Sequence, residues 1–197
     1  MSGVLISTIF EKSDATKLSI RDFNIQKIIF LVDKEAKDAQ LQSIDLLKRT
    51  FSNTMEIVEK KVELYDILSV AKDAVRIIDS IEMGDKIYVD ISQGRKTQAF
   101  GLLLACYSRP QRIESIVYWG EDKKLTVLPK FSFAIDDVEK SILKEIESVE
   151  SISELIKKLK LSRSKLYRLI KNLENKELIK KEIGKYILTD AGKIARM

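Results

Sequence analysis

Apolar positions follow one rhythm in the first two thirds of this chain and another in the last third. Short apolar runs, "VLISTIF" (4–10), "KIIFLVD" (27–33), "GDKIYVDIS" (84–92), "IESIVYWG" (113–120) and "LTVLPKFS" (125–132), read as strands. Between them lie segments with helical spacing: "AQLQSIDLLKRTFS" (39–52), "LYDILSVAKDAVRIIDSI" (64–81) and "GRKTQAFGLLLACYS" (94–108). In the second of these Ile67, Val70, Ala71, Ala74, Ile77, Ile78 and Ile81 share one side. The stretch "NTMEIVEKKVE" (53–63) is ambiguous, with a short strand expected at 55–60. Apolar strands separated by helices predict an α/β fold, a Rossmann-like, mostly parallel sheet with helices on both faces. In such sheets ligands bind beyond the carboxyl ends of the strands.

After Pro129 the grammar changes. Helical patterns follow one another in "DDVEKSILKEIES" (136–148), "SISELIKKLK" (151–160) and "SRSKLYRLIKNLENKEL" (162–178). Then "IKKEIGKYILT" (179–189) reads as a hairpin turning at Gly184. The order helix, helix, turn, helix, hairpin is that of a winged helix-turn-helix. Two domains are expected, 1–132 and 133–197, with no internal repeat.

Composition narrows the chemistry. The 197 residues include no histidine and one cysteine, Cys106, inside an apolar run. Histidine triads, histidine bases, histidine metal ligands, multi-cysteine zinc sites and disulfide frameworks are all excluded. No metal site is expected. The N-terminus lacks the pattern of a signal peptide and no run is long enough to span a bilayer, so a cytoplasmic, membrane-free setting is expected.

Charge is uneven. Residues 1–129 carry 19 basic and 19 acidic groups, whereas residues 130–197 carry 16 and 11. From Ser162 onward the ratio is 10 to 4. A basic C-terminal module points to a polyanionic partner, although Lys/Glu-rich surfaces also serve stability alone. Ser151 and Ser153 suit the start of the second helix of this module, and Ser162 the N-cap of the third. Leu166, Leu169, Ile170 and Leu173 form the third helix's inner face. Its polar side presents Arg163, Ser164, Lys165, Tyr167, Arg168 and Lys171, and the hairpin adds Lys180, Lys181 and Lys185. Small hydrogen-bonding groups among cations suit a recognition helix, whose first residues reach base edges while flanking cations hold phosphates. Packing against protein is the other use of such a module.

One stretch in the first domain asks for an anion. "KIYVDISQGRKTQAFGLLLACY" (86–107) runs from a buried strand to an acid, Asp90, then Ser92, Gln93, Gly94, Arg95 and Lys96, then an apolar helix. Amides at a helix N-terminus favour negative charge, and two adjacent cations reinforce that. The plainer account is a strand-to-helix turn with solvated cations. Asp90 has no second acid beside it, so capping the loop suits it better than binding metal. Cys106 and Trp119 suit core or interface positions. The first strand gives no support to a dinucleotide site, since "ISTIFE" contains no GxGxxG.

A strand ending Asp-x-Ser-x-Gly-Arg-Lys before a small-residue apolar helix resembles the ligand loop of the CRISPR-associated Rossmann-fold (CARF) domains. The matching residues are Asp90, Ser92, Gly94 and Arg95 or Lys96. The loop after the first strand supplies a second likeness through Ser7, Thr8, Ile9 and Phe10; for Phe10, stacking under an adenine and packing in the core stand equal. Gln93 departs from the family, where a second glycine is common. The likeness covers about residues 1–130, and with the winged helix the whole chain is similar to archaeal CRISPR-associated transcriptional regulators, which act in antiviral defence. That likeness implies a homodimer binding a cyclic oligoadenylate, most often cyclic tetra-adenylate, across its two-fold axis, and double-stranded DNA at a palindromic promoter site. Some relatives instead are ring nucleases. They cleave the same ligand without metal, by orienting a ribose 2′-hydroxyl on the adjacent phosphate; here Lys96, Arg95, Ser92 and Thr8 would supply position and charge. No cofactor beyond the ligand is implied.

Overall fold

The computed structural model describes residues 2–51, 53–63, 65–130, 134–182 and 184–197. Ser52, Leu64, Phe131, Ser132 and Ile183, which fall within expected elements, lie outside the described residues. The chain divides into two units, Met1–Phe131 and Ser132–Met197.

In the first unit the chain alternates β1 (Gly3–Thr8), α1 (Asp14–Asp22), β2 (Ile25–Asp33), α2 (Asp38–Phe51), β3 (Glu56–Val62), α3 (Ile67–Ser80), β4 (Lys86–Asp90), α4 (Lys96–Ser108), β5 (Ile113–Trp119) and β6 (Leu125–Leu128). The strands form one sheet in the order β3-β2-β1-β4-β5-β6. β1 to β5 run parallel, and β6 returns antiparallel to β5. β1 is buried throughout because strands flank it on both sides and helices cover both faces. The order reverses between β1 and β4, so the connections leaving their carboxyl ends part and open a crevice beyond the paired residues Ser7 and Asp90.

The small residues of α4 have a packing reason. A Cβ at Gly101 would lie 2.6 Å from the Cβ of Val70, so glycine lets α4 approach α3 closely. The outward side of α4 stays apolar: Phe100 is exposed, while Leu103, Leu104 and Tyr107 are half-buried.

α1 has no counterpart among the elements expected from the pattern. Its buried residues are Ala15, Thr16 and Ser19, so its inner face is small and polar and leaves no apolar periodicity to detect. β1 stops at Thr8, two residues before the apolar run ends, which places Ile9 and Phe10 in the loop leading to α1. The ambiguous segment resolves as β3, a sheet edge carrying Glu59, Lys60 and Lys61. Charges there discourage pairing with a further strand.

The second unit contains α5 (Asp137–Glu145), α6 (Ile152–Leu159), α7 (Arg163–Asn175), the antiparallel pair β7 (Ile179–Glu182) and β8 (Lys185–Leu188), and a closing helix α8 (Asp190–Arg196). Its helices begin as the capping residues dictate. Asp136 accepts from the Glu139 amide at 2.7 Å, Ser151 from Glu154 at 3.2 Å and Ser162 from Lys165 at 3.3 Å. Ser151 rather than Ser153 caps α6. α6 ends in a left-handed residue, Lys160, whose φ of 52° turns the chain into α7 within three residues. The core gathers Ile142, Leu143, Leu155, Leu166, Ile170 and Leu188. Beside it the buried Glu139 carboxylate pairs with Lys176 at 2.9 Å.

Candidate ligand loop and nucleic-acid interface

β4 delivers Asp90 to the crevice, and the next five residues fold over the end of β1. The Thr8 hydroxyl donates to the carbonyl of Gln93, tying the two strand ends together. Gly94 makes the turn with φ of 81°, and a Cβ there would meet the Cβ of Thr8 at 2.8 Å. Both facts demand glycine. Arg95 is the N-cap of α4, and its amide donates to the Gln98 side-chain oxygen at 3.4 Å.

Asp90 is 1% exposed and accepts only from neutral groups among its recorded partners. Its Oδ1 takes the Ser92 amide at 2.9 Å and the Ser92 hydroxyl; its Oδ2 takes the Ser19 hydroxyl of α1 at 3.0 Å. The Ser92 oxygen in turn accepts the Trp119 amide at 2.8 Å, and the Ser19 oxygen accepts the Trp119 indole N–H at 2.8 Å. Burial raises the Asp90 carboxyl above the usual carboxylate range, while bonds from Ser92 and Ser19 pull it partly back. Asp90 therefore shapes the loop.

The residues singled out at the first strand meet different fates. Ser7, Thr8 and Ile9 are fully buried; the Ser7 hydroxyl donates to the Thr8 carbonyl at 3.1 Å, and Ile9 joins the core with Leu5 and Phe30. Phe10 stands outside, half-buried, with the Arg95 guanidinium 5.4 Å from its ring centroid. Tyr65 approaches the same guanidinium at 5.8 Å, so Arg95 is within reach of two aromatic rings. Lys96 is exposed. Ser92, Gln93 and Gly94 are half-buried, and with Phe10, Leu18 and Trp119 they line a cleft of about 590 Å³. Ser19, Tyr65, Gln98 and Trp119 thus join the residues expected from the motif. Ser19, Tyr65 and Trp119 arrive from other parts of the chain and carry no motif, whereas Gln98 stands three residues after Arg95, at the capping-box position of α4.

Buried side-chain polar atoms without a hydrogen-bond partner, among the described residues, are Thr16 Oγ1, Gln93 Oε1 and Gln98 Nε2. All three belong to α1, the loop or the first turn of α4, the elements around the crevice. Buried polar groups are ordinarily satisfied, so their grouping marks this region as one built for more than packing. Cys106, within α4, is buried, and burial pushes its thiol up, away from the reactive thiolate. Among the described residues no group of three or more His, Cys, Asp and Glu side chains is placed to hold a metal ion.

In the second unit, α7 buries Leu166, Leu169, Ile170 and Leu173 and exposes Arg163, Ser164, Lys165, Tyr167, Arg168 and Lys171. Arg163 rests 5.8 Å from the Tyr167 ring centroid. Ser162, as cap, already accepts an amide. On the hairpin Lys180, Lys181 and Lys185 are exposed; Lys180 pairs with Glu182 at 2.9 Å, and Lys181 lies 5.9 Å from the Tyr186 ring centroid. No described helix is long and apolar enough to cross a membrane.

Residues 5–123 match the HFX_2341_N-like N-terminal domain family, and residues 136–195 match the winged helix-turn-helix family. The first match spans more than half of the chain, which therefore belongs to the HFX_2341_N-like N-terminal domain family. No curated protein sequence matches the chain.

Among solved structures, Can2 from Sulfobacillus thermosulfidooxidans, in complex with cyclic tetra-adenylate, is similar at a TM-score of 0.50 and 12% identity over 98% of this chain and 62% of its own. Enterococcus italicus Csm6, bound to cyclic hexa-2′-fluoro-hexa-dAMP, is similar at 0.54 and 13% over 90% and 55%. VC1899 from Vibrio cholerae is similar at 0.53 and 10% over 98% and 64%. The chain spans less than two thirds of the length of each. At these identities the likeness is one of fold. The expected architecture holds: an α/β unit with a six-stranded, mostly parallel sheet, followed by a winged helix-turn-helix.

Proposed function

We propose that this chain is a ligand-responsive DNA-binding regulator, taking a cyclic oligoadenylate of the tetra-adenylate size at the β4–α4 loop and DNA through α7. The observation that carries it is the loop itself. A glycine turn at the β1/β4 crevice sets Arg95 and Lys96 at the N-terminus of α4, beside the unpartnered amide atoms of Gln93 and Gln98. Helix amides and cations suit phosphates, and free side-chain amides suit base edges and hydroxyls. The Arg95–Phe10 pair adds an aromatic surface of the kind on which bases stack.

The outward face of α4, with Phe100, Leu103 and Leu104 beside Lys96, suits a second copy of the chain. A dimer there brings two loops to one ring, and ligand then acts on DNA by favouring one arrangement of the winged helices. The exposed cations of α7 support DNA as the partner. A membrane has no support from any described helix. CRISPR-linked transcriptional control follows from the likeness to regulators of this architecture.

Ring cleavage is the second reading, and the exposed Lys96 favours it. The other groups it needs are engaged: the Thr8 and Ser92 hydroxyls are both hydrogen-bonded within the protein. Calorimetry with cyclic tetra-adenylate, followed by chromatography of the nucleotide, separates the cases. Saturable binding at one ring per two chains with the ring intact supports the regulator. Linear products lost in Lys96→Ala make the chain a ring nuclease. No heat with tetra- or hexa-adenylate rings overturns the ligand assignment.

A further inference from the structure

The hydrogen bonds around Asp90 close on themselves. Starting at the Trp119 indole N–H, the path runs to Ser19 Oγ, then to Asp90 Oδ2, across the carboxylate to Oδ1, to the Ser92 hydroxyl, and back to the Trp119 amide. Four elements are joined by one circuit: α1, the end of β4, the ligand loop and the end of β5. Two of its members, Ser19 and Trp119, belong to no motif and lie 100 residues apart. Each does two jobs at once. Ser19 accepts from the indole and donates to the carboxylate, which fixes the direction of its hydroxyl hydrogen. Trp119 donates from both its ring and its backbone. Two members of the circuit, Ser92 and Trp119, line the cleft, where Trp119 is 7% exposed beside Phe10, Leu18 and Gln93.

We infer that Ser19 and Trp119 are positioning residues for the ligand loop, holding the Ser92–Gly94 backbone in its binding shape through Asp90. The inference rests on the ligand reading for its purpose but not for its geometry. Without the Ser19 hydroxyl, Asp90 Oδ2 and the indole N–H both lose their partner inside a buried site, and the carboxylate is free to rotate away from the Ser92 amide. The Ser92–Gly94 backbone then loosens, while the distant sheet edge at β3 does not. Trp119 is the single tryptophan of the chain, so its fluorescence reports on this circuit alone.

The test compares the full chain with Ser19→Ala and Trp119→Phe, using hydrogen exchange of the loop amides, tryptophan emission and calorimetry with cyclic tetra-adenylate. In Ser19→Ala exchange of the Ser92 amide, which Asp90 holds, is expected to rise by about tenfold, the effect of one hydrogen bond to a charged group, and in Trp119→Phe, which loses a bond between neutral groups, by a smaller factor, with β2 and β3 unchanged. In Ser19→Ala the emission maximum shifts, and ring affinity falls by a similar factor. Unchanged loop exchange in both variants overturns the inference, as does a uniform rise across the whole unit, which would mark a purely structural role. Loop exchange that rises in a protein whose wild type binds no ring upholds the positioning role and removes the ligand assignment instead.

Discussion

The loop after β4 and the helix α7 both carry the cations that single them out, yet they meet their surroundings in opposite ways. Around the loop, polar groups turn inward. Asp90, Ser19 and Thr8 are buried; Ser19 donates to Asp90, Thr8 donates to the Gln93 carbonyl, and Arg95 lies against the Phe10 and Tyr65 rings. On α7 the cations turn outward, with Arg163 resting on Tyr167, while Ser162 caps the helix and Asn172 donates to the buried Glu139 carboxylate. The first arrangement defines a shape before any ligand arrives and suits a small molecule with fixed hydrogen-bonding positions. The second leaves long cationic side chains in water and suits a polyanion whose attraction depends on counterion release. The same residue types therefore serve different ends according to whether the fold confines them.

Three variants sharpen this contrast. The largest effect is expected from Gly94→Val, which places a branched side chain at φ of 81° and against Thr8. It is expected to cost about 3 kcal/mol of stability and to abolish ring binding in calorimetry. Affinity for DNA without ligand is expected to survive below the melting temperature, and its loss there would break the separation between the two regions. Next comes the double reversal Arg168→Glu with Lys171→Glu. Binding of a random-sequence duplex, followed by anisotropy at several salt concentrations, is expected to fall by about a hundredfold with a shallower salt slope, and ring binding is expected to stay unchanged.

The smallest effect concerns Asp90→Asn and runs with pH. Burial raises the Asp90 carboxyl in the folded protein, so between its unfolded and folded pKa values the folded state binds the extra proton. Wild-type stability relative to the asparagine variant is therefore greatest at low pH. It declines as pH rises from the ordinary carboxylate range through the raised value, and is level above it. Urea unfolding of both proteins at a series of pH values measures the direction of this difference. A difference that grows with pH would mean that the hydrogen bonds to Asp90 outweigh its burial.

Much of this was legible from pattern. Local rhythm predicts the apolar strands, the long helices and the hairpin at Gly184, because burial of a strand or helix face leaves a period in the residues themselves. The serine caps of α6 and α7 were equally legible, since a cap acts within three residues. The helix α1 was not, because it packs through Ala15, Thr16 and Ser19 and so shows no apolar stripe.

What the sequence determined by itself was the class of the elements with an apolar period, the uneven charge, the glycine turn after Asp90 and the cationic side of α7, all properties of neighbouring residues. What only the tertiary structure decided was which distant residues share a site. Ser19 and Trp119 meet because the strand order brings the start of the chain, β4 and β5 side by side. Tyr65 reaches Arg95 for a similar reason, from the segment before α3. Hydrogen bonds and ring contacts of that span leave no periodic trace, since they depend on how crossovers order the strands and not on the spacing of residues along the chain.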